Sequence, residues 1–193
     1  MYTWGYIKDA VLAKLDLDED EASVQNLIDR FSIYANEAMV QICSTVKPKK
    51  AFAEFIVDEF DFIATMPDDF VSFNDDVPVG TYNDGRYHYN EEIHNDVFTY
   101  QGHNQVLFLY PGVYRIPYNA RWILFNKNLS DETVLSAPDD VISCLPSYIV
   151  SQCYKIDDEY KASVFRNEYE MFLARINDTD YKNTRTIKIK GDW

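Results

Sequence analysis

From Leu145 to Ile176 the sequence LPSYIVSQCYKIDDEYKASVFRNEYEMFLARI repeats its apolar residues every three or four positions. That is a helical period, carried by two runs with a polar hinge between them. A stretch of the same kind lies near the N-terminus, from Trp4 to about Val46, and about ninety residues with a different period separate the two. Amphipathic pairs far apart in sequence bury their stripes against each other or against a partner. The expected fold class is therefore α+β, with N- and C-terminal helices forming one helical bundle and an inserted antiparallel β-rich region, a sandwich or an open barrel. The organisation reads as an N-terminal helical pair at 1–50, an acidic β-rich insertion at 51–136, a C-terminal helical pair at 137–177 and an extended tail at 178–193.

Thr3 is a candidate cap for a first helix from Trp4 to about Leu15, with Ile7, Val11 and Leu15 on one face. The acidic run Asp16, Asp18, Glu19, Asp20 and Glu21 breaks that pattern and places negative charge at the start of a second helix. The second helix is expected from about Glu21 to Val46, with Leu27, Phe31, Tyr34, Ala38, Ile42 and Val46 as its apolar stripe. Pro48, within Lys47–Lys50, ends it. In the C-terminal part, Asp139 or Asp140 is a candidate cap, and Pro146 either bends that helix or starts a new one; the second is expected. Asp157 and Asp158 precede the last helix, in which Ala162, Phe165, Tyr169, Phe172 and Ile176 form the expected buried stripe, with Arg166 and Glu170 paired four apart outside it.

From Ala51 the period falls to two. Phe52, Glu54 and Ile56 share one side, and Ala53, Phe55 and Val57 the other. The loop MPDDF (Met66 to Phe70) follows, then short β-like runs punctuated by Asn83-Asp84-Gly85, Gln101-Gly102 and Pro111-Gly112. The clearest strands are Val97 to Tyr100, Gln105 to Tyr110, Val113 to Ile116 and Ala120 to Phe125. The tail differs again. Thr184 to Gly191 alternates apolar or β-branched residues with basic ones, and Lys182, Arg185, Lys188 and Lys190 make it locally basic. Such a strand without its own partner either frays or pairs with something, and Trp193 is of the type that anchors interfaces.

A hydrophobic share of 47 % is ample for a core, and fifteen Tyr with twelve Phe suit either a β-rich core or extensive contact surface. The net charge of −14 argues against gripping nucleic acid, which requires Lys and Arg to displace counterions. Between Val57 and Gln101 eleven Asp or Glu stand against one Arg, so the acidity concentrates in the insertion. Cys43, Cys144 and Cys153 have no CxxC spacing and read as buried thiols of a protein made in a reducing cytoplasm. The first residues carry no apolar signal region and no run reaches membrane-spanning length, so neither secretion nor a membrane is expected.

Little in the sequence suggests chemistry. Asp16, Asp18 and Asp20 imitate the start of a calcium loop, but Glu21 stands where Gly is needed and Leu27 where a bidentate Glu is needed. His88, His94 and His103 match no zinc spacing. Asp68-Asp69 and Asp75-Asp76 are adjacent carboxylates without any sign of separated pKa values. No GxSxG, HExxH, P-loop or GxGxxG occurs, so no catalytic residue, metal or cofactor is expected.

The C-terminal pair resembles that of tailed-bacteriophage head-to-tail connector proteins, also called adaptors. In that family a Pro-Tyr-Ile helix ending in acidic residues precedes a helix with Ala, Phe and an Asn-Glu-Tyr-Glu stretch. Here these are Pro146, Tyr148, Ile149, Asp157, Asp158, Ala162, Phe165, Asn167, Glu168, Tyr169 and Glu170. Met66 to Phe70 resembles the family's entry into its β region, and the N-terminal pair (WGYIKDAVLAKL, then IDRFSIYANEAMVQI) also fits. The resemblance implies a structural virion protein without a reaction, assembled in the host cytoplasm. It implies a homo-oligomeric ring, usually of about twelve copies, beneath the portal and above downstream tail or stopper proteins. Double-stranded DNA would pass through without specific binding; twelve copies would carry a total charge of about −168, which favours sliding. The last helix and tail are the expected contact parts, namely Phe165, Tyr169, Phe172, Arg185, Ile187, Lys188, Ile189, Lys190 and Trp193. Two alternatives are another tail-proximal ring or stopper protein and, in a different class, a glycan- or small-molecule-binding β module. A cytoplasmic hydrolase comes third.

Overall fold

A computed structural model describes residues 2–17, 22–89, 98–102 and 104–183. Among the described residues four α-helices and two antiparallel sheets make a mixed α+β chain. The chain divides into two compact units, Met1–Lys47 with Ile123–Trp193, and Pro48–Trp122.

The first unit begins with Thr3, whose side chain accepts a hydrogen bond from the Tyr6 N–H at 3.2 Å and caps α1 (Trp4–Leu15). Such a cap is worth about 1 kcal/mol. Asp16 ends α1 in the left-handed region at φ 58, a conformation that Asp tolerates better than most residues. α2 (Ala22–Thr45) buries Val24, Ile28, Phe31, Ala35, Ala38, Met39 and Ile42. The stripe is thus rotated slightly from the expected one, leaving Leu27, Tyr34 and Val46 half-buried at its margin.

Residues 123–136 were expected in the β-rich insertion; they belong with the helices. The first N–H groups of a helix have no partner within it. Here the carbonyls of Thr133 and Asp131 accept from Trp4 and Gly5 at 3.0 and 2.9 Å. Gly5 eases this approach, because a Cβ there would lie 3.1 Å from the Asp131 carbonyl oxygen, a tight contact. Asn36 on α2 holds the same segment. Its amide nitrogen donates to the Phe125 carbonyl at 2.7 Å, and its oxygen accepts from the Phe125 N–H at 2.9 Å. The segment 120–125 is consequently no strand; its strand character ends at Ala120.

α3 (Asp139–Tyr154) runs unbroken through Pro146, which was expected to start a new helix. Proline in a helix interior costs roughly 3 kcal/mol through the lost N–H and the clash with the preceding turn. Burial offsets that cost, since Val141, Ile142, Leu145, Ile149 and Val150 are almost wholly buried on both sides of it. Pro138 occupies the cap position, and Asp139 and Asp140 lie in the first turn. α3 packs against α1, α2 and α4 (Glu159–Asn183). Asp158 caps α4 by accepting from the Lys161 N–H at 2.9 Å.

The second unit is built on β1 (Lys49–Val57) and β8 (Gly112–Ala120), antiparallel over their full length from Lys49↔Ala120 to Val57↔Gly112. β3 (Phe70–Phe73) and β4 (Gly80–Asn83) share the other edge of β8, and β5 (Arg86–Tyr89) pairs with β4. Asp84 and Gly85, with φ of 51 and 81, form the two-residue turn between β4 and β5. Pro117 sits inside β8, the central strand, without breaking it. Its carbonyl accepts from the Asn74 N–H at 3.2 Å, so its missing N–H faces the gap between the β3 and β4 pairings, away from β1. The second sheet has the order β2 (Ile63–Thr65), β7 (Gln105–Phe108), β6 (Phe98–Gln101). One apolar cluster joins residues of both sheets, including Ala53, Val57, Val106, Phe108, Tyr114 and Ile116.

Candidate functional site

In the first unit the outer side of α4 stands out. Its inner side buries Tyr169, Leu173 and Ile176, while Tyr160, Val164 and Met171 lie 78 %, 45 % and 59 % exposed. Four- and seven-residue steps place these three along one side of a helix. Exposed apolar residues in a row, unlike scattered ones, mark contact surfaces. A second apolar patch lies on α2, where Ile33 and Val40, with Asn36 and Glu37, line a shallow groove of about 460 Å³.

The expected contact residues of α4 fall elsewhere. Tyr169 is completely buried and meets Tyr148 edge-on at 5.0 Å, so it belongs to the chain's own core rather than to a contact face. Phe165 is half-buried, stacked on Tyr154 and covered by the Lys14 ammonium at 5.2 Å. Lys14 also pairs with Glu168 at 2.8 Å. Phe172 is half-buried with Arg175 over its ring. Arg166 and Glu170 pair at 2.6 Å as expected, and Arg166 also lies over Tyr148 and Tyr169. Arg185, Ile187, Lys188, Ile189, Lys190 and Trp193 lie outside the described residues. The sequence contained the signal for the outer stripe in the spacing of Tyr160, Val164 and Met171.

Among the described residues the buried Tyr169 hydroxyl has no hydrogen-bond partner, and burial pushes its pKa upward. An unpaired buried polar group costs stability, so Tyr169→Phe is expected to leave the melting temperature unchanged or raise stability by up to about 1 kcal/mol. A loss above about 1 kcal/mol in chemical denaturation would show that the hydroxyl is satisfied.

Cys43 and Cys144 are buried as expected, whereas Cys153 is half-buried. Burial, then the Asp140 charge, pushes Cys144 to about 12; burial pushes Cys153 to about 12 as well, with Arg30 opposing. Unfolded thiols titrate near 8.5, so these groups favour the fold below that value. Their contribution disappears as pH rises from there toward 12. At pH 8 a thiol reagent should label Cys144 and Cys153 at least about 100-fold more slowly in the native chain than in denaturant.

The second unit presents a different surface on the outer side of its five-stranded sheet. Arg115 lies over Phe52 and Tyr87 at 4.7 and 5.1 Å, donates to the Tyr89 hydroxyl at 3.3 Å and pairs with Glu54 at 3.3 Å. Loss of hydration and the neighbouring Glu54 raise the Tyr87 pKa. Gly80 leaves room for the Tyr89 ring, which a Cβ would meet at 2.9 Å. Tyr82 extends the face, meeting Tyr87 edge-on.

Of the remaining sites considered from sequence, some hold the local structure and others lie outside the described residues. Asp69 accepts from the Tyr118 hydroxyl at 2.9 Å, and its carbonyl accepts from the Arg121 N–H, which pins the MPDDF loop to the end of β8. His88 lies on β5 beside the Asn83 carbonyl, whereas His94 and His103 lie outside the described residues, as do Asp18 and Asp20. Among the described residues no group of three His, Cys, Asp or Glu could hold a metal, and no helix is long and apolar enough to cross a membrane. Comparison with protein-family models finds no match, and comparison with curated proteins finds none either.

Proposed function

We propose that the chain is a structural virion protein, a head-to-tail connector that forms a ring, binds the portal and extends the DNA channel toward the tail. In this reading the helices act as one bundle, the two sheets act as a sandwich, and the acidic surface keeps passing DNA mobile. One observation carries the reading beyond the sequence resemblance: the helical unit has two different exposed apolar patches, on α2 and on α4. A closed ring needs heterologous contacts, in which one patch meets a different patch on the next copy.

Light scattering and electron microscopy of the full chain should show a ring of about twelve copies. Tyr160→Asp with Met171→Asp should reduce it to monomers, and Ile33→Asp with Val40→Asp should do the same. Mixing the two variants leaves one intact patch on each, so heterodimers should form without rings. Monomers from the wild-type chain at every concentration would refute the ring.

A second reading attaches to the sheet face of Arg115, since the exposed rings of Phe52, Tyr82 and Tyr89 beside polar groups suit sugar rings. A glycan-array signal lost in Tyr89→Ala, with the wild-type chain sedimenting as a monomer, would favour it over the ring.

A further inference from the structure

β1 is an edge strand of unusual length. It pairs with β8 through nine residues, and among the described residues no strand pairs with its other edge. Alternate N–H and C=O groups along that edge therefore point away from the sheet, and Ile56 on it is 87 % exposed. Proteins usually blunt such edges with charge or proline. Here Lys49 and Lys50 guard one end, while Phe52 to Val57 carries a single charge, Glu54.

We infer that this edge receives a strand from a second copy of the chain, formed by residues 184–191. The inference rests on the ring reading for the presence of that second copy. Residues 184–191 would span about 26 Å when extended, close to the roughly 30 Å of β1. The alternation of Ile187 to Lys190 fits the edge. A register that sets Lys188 beside Glu54 sets Ile187 and Ile189 beside Ala53 and Phe55 on the core side of the sheet, in either strand direction. Ala53 is buried and Phe55 half-buried, so the two isoleucines extend the apolar face sideways. Charge agrees too: Lys188 and Lys190 fall on the side of the sheet that carries Glu54, whereas Arg185 shares the side of the two isoleucines. Strand addition of this kind takes affinity from main-chain hydrogen bonds and specificity from alternate side chains.

Hydrogen exchange on the full chain tests it. At concentrations where copies associate, amides of residues 50–57 that do not pair with β8 should exchange at least about 10-fold more slowly than after dilution to monomers. Ile187→Pro with Ile189→Pro should remove that protection, while circular dichroism stays unchanged. Equal, fast exchange in the associated and diluted chain would overturn the inference, as would protection that persists undiminished in the monomer. The two proposals fail separately. Rings with an unprotected β1 would retain the ring and discard the strand, whereas protected β1 in open dimers or chains would do the reverse.

Discussion

Replacing Trp4 with alanine is expected to lower the stability of the helical unit by about 3–5 kcal/mol, the range for removing a large buried aromatic side chain. Trp4 is 1 % exposed and packs on Phe125 at 4.9 Å. Its own N–H is donated to Thr133, so the residue fixes both the start of α1 and the segment that returns from the β unit. Urea denaturation followed by far-ultraviolet circular dichroism would read the loss as a lower midpoint at similar slope. A change below about 1 kcal/mol would mean that the surrounding side chains close over the space at little cost.

Phe108→Ala should be comparably damaging in the β unit, at about 3–5 kcal/mol. The ring is 1 % exposed and stacks on Tyr114 at 4.6 Å, with Phe55 and Phe98 at 5.8 and 6.3 Å. Tyr114 and Phe55 belong to the five-stranded sheet, Phe98 and Phe108 to the three-stranded one, so the substitution empties the place where the two meet. Phe108→Leu keeps most of the volume and should cost less than about 2 kcal/mol. Amide exchange in β7 and β8 would rank the two variants; equal effects would place the key packing elsewhere.

What was legible in the sequence followed from local physics. The caps Thr3 and Asp158, the span of α1 and the alternation of β1 are set by residues within a turn or two of each other. Failures came where distant residues decide. Pro146 has strong local reasons to begin a helix, but burial on both sides holds it inside one. Residues 120–125 look β-like, yet two side-chain bonds from Asn36 and the open N–H groups of α1 claim the chain beyond Ala120. On α4 the aromatic residues drew attention to Phe165, Tyr169 and Phe172, whereas the outward side belongs to Tyr160, Val164 and Met171. Aromatic content alone does not separate a helix's two faces; only packing against α3 sets the phase. The Arg115 cluster was hidden for the same reason, because Glu54, Tyr87, Tyr89 and Arg115 come from three strands whose pairing is nonlocal.

The pairing of Lys49 with Ala120 bears on how the chain reaches its fold. The helical unit is assembled from two segments separated by about 75 residues, and closing so long a loop opposes their meeting. Once β1 and β8 have joined, however, the chain enters and leaves the insertion at neighbouring points. To the helices the folded insertion is then no longer than a hairpin turn, which lowers the closure penalty by roughly 2–3 kcal/mol. During synthesis the whole insertion emerges before α3 and α4, so the clasp can shut before its hosts arrive. A unit attached in this way is an exchangeable cassette: it can be lengthened, redecorated or replaced by a short turn while the helices on either side keep the same chain to close.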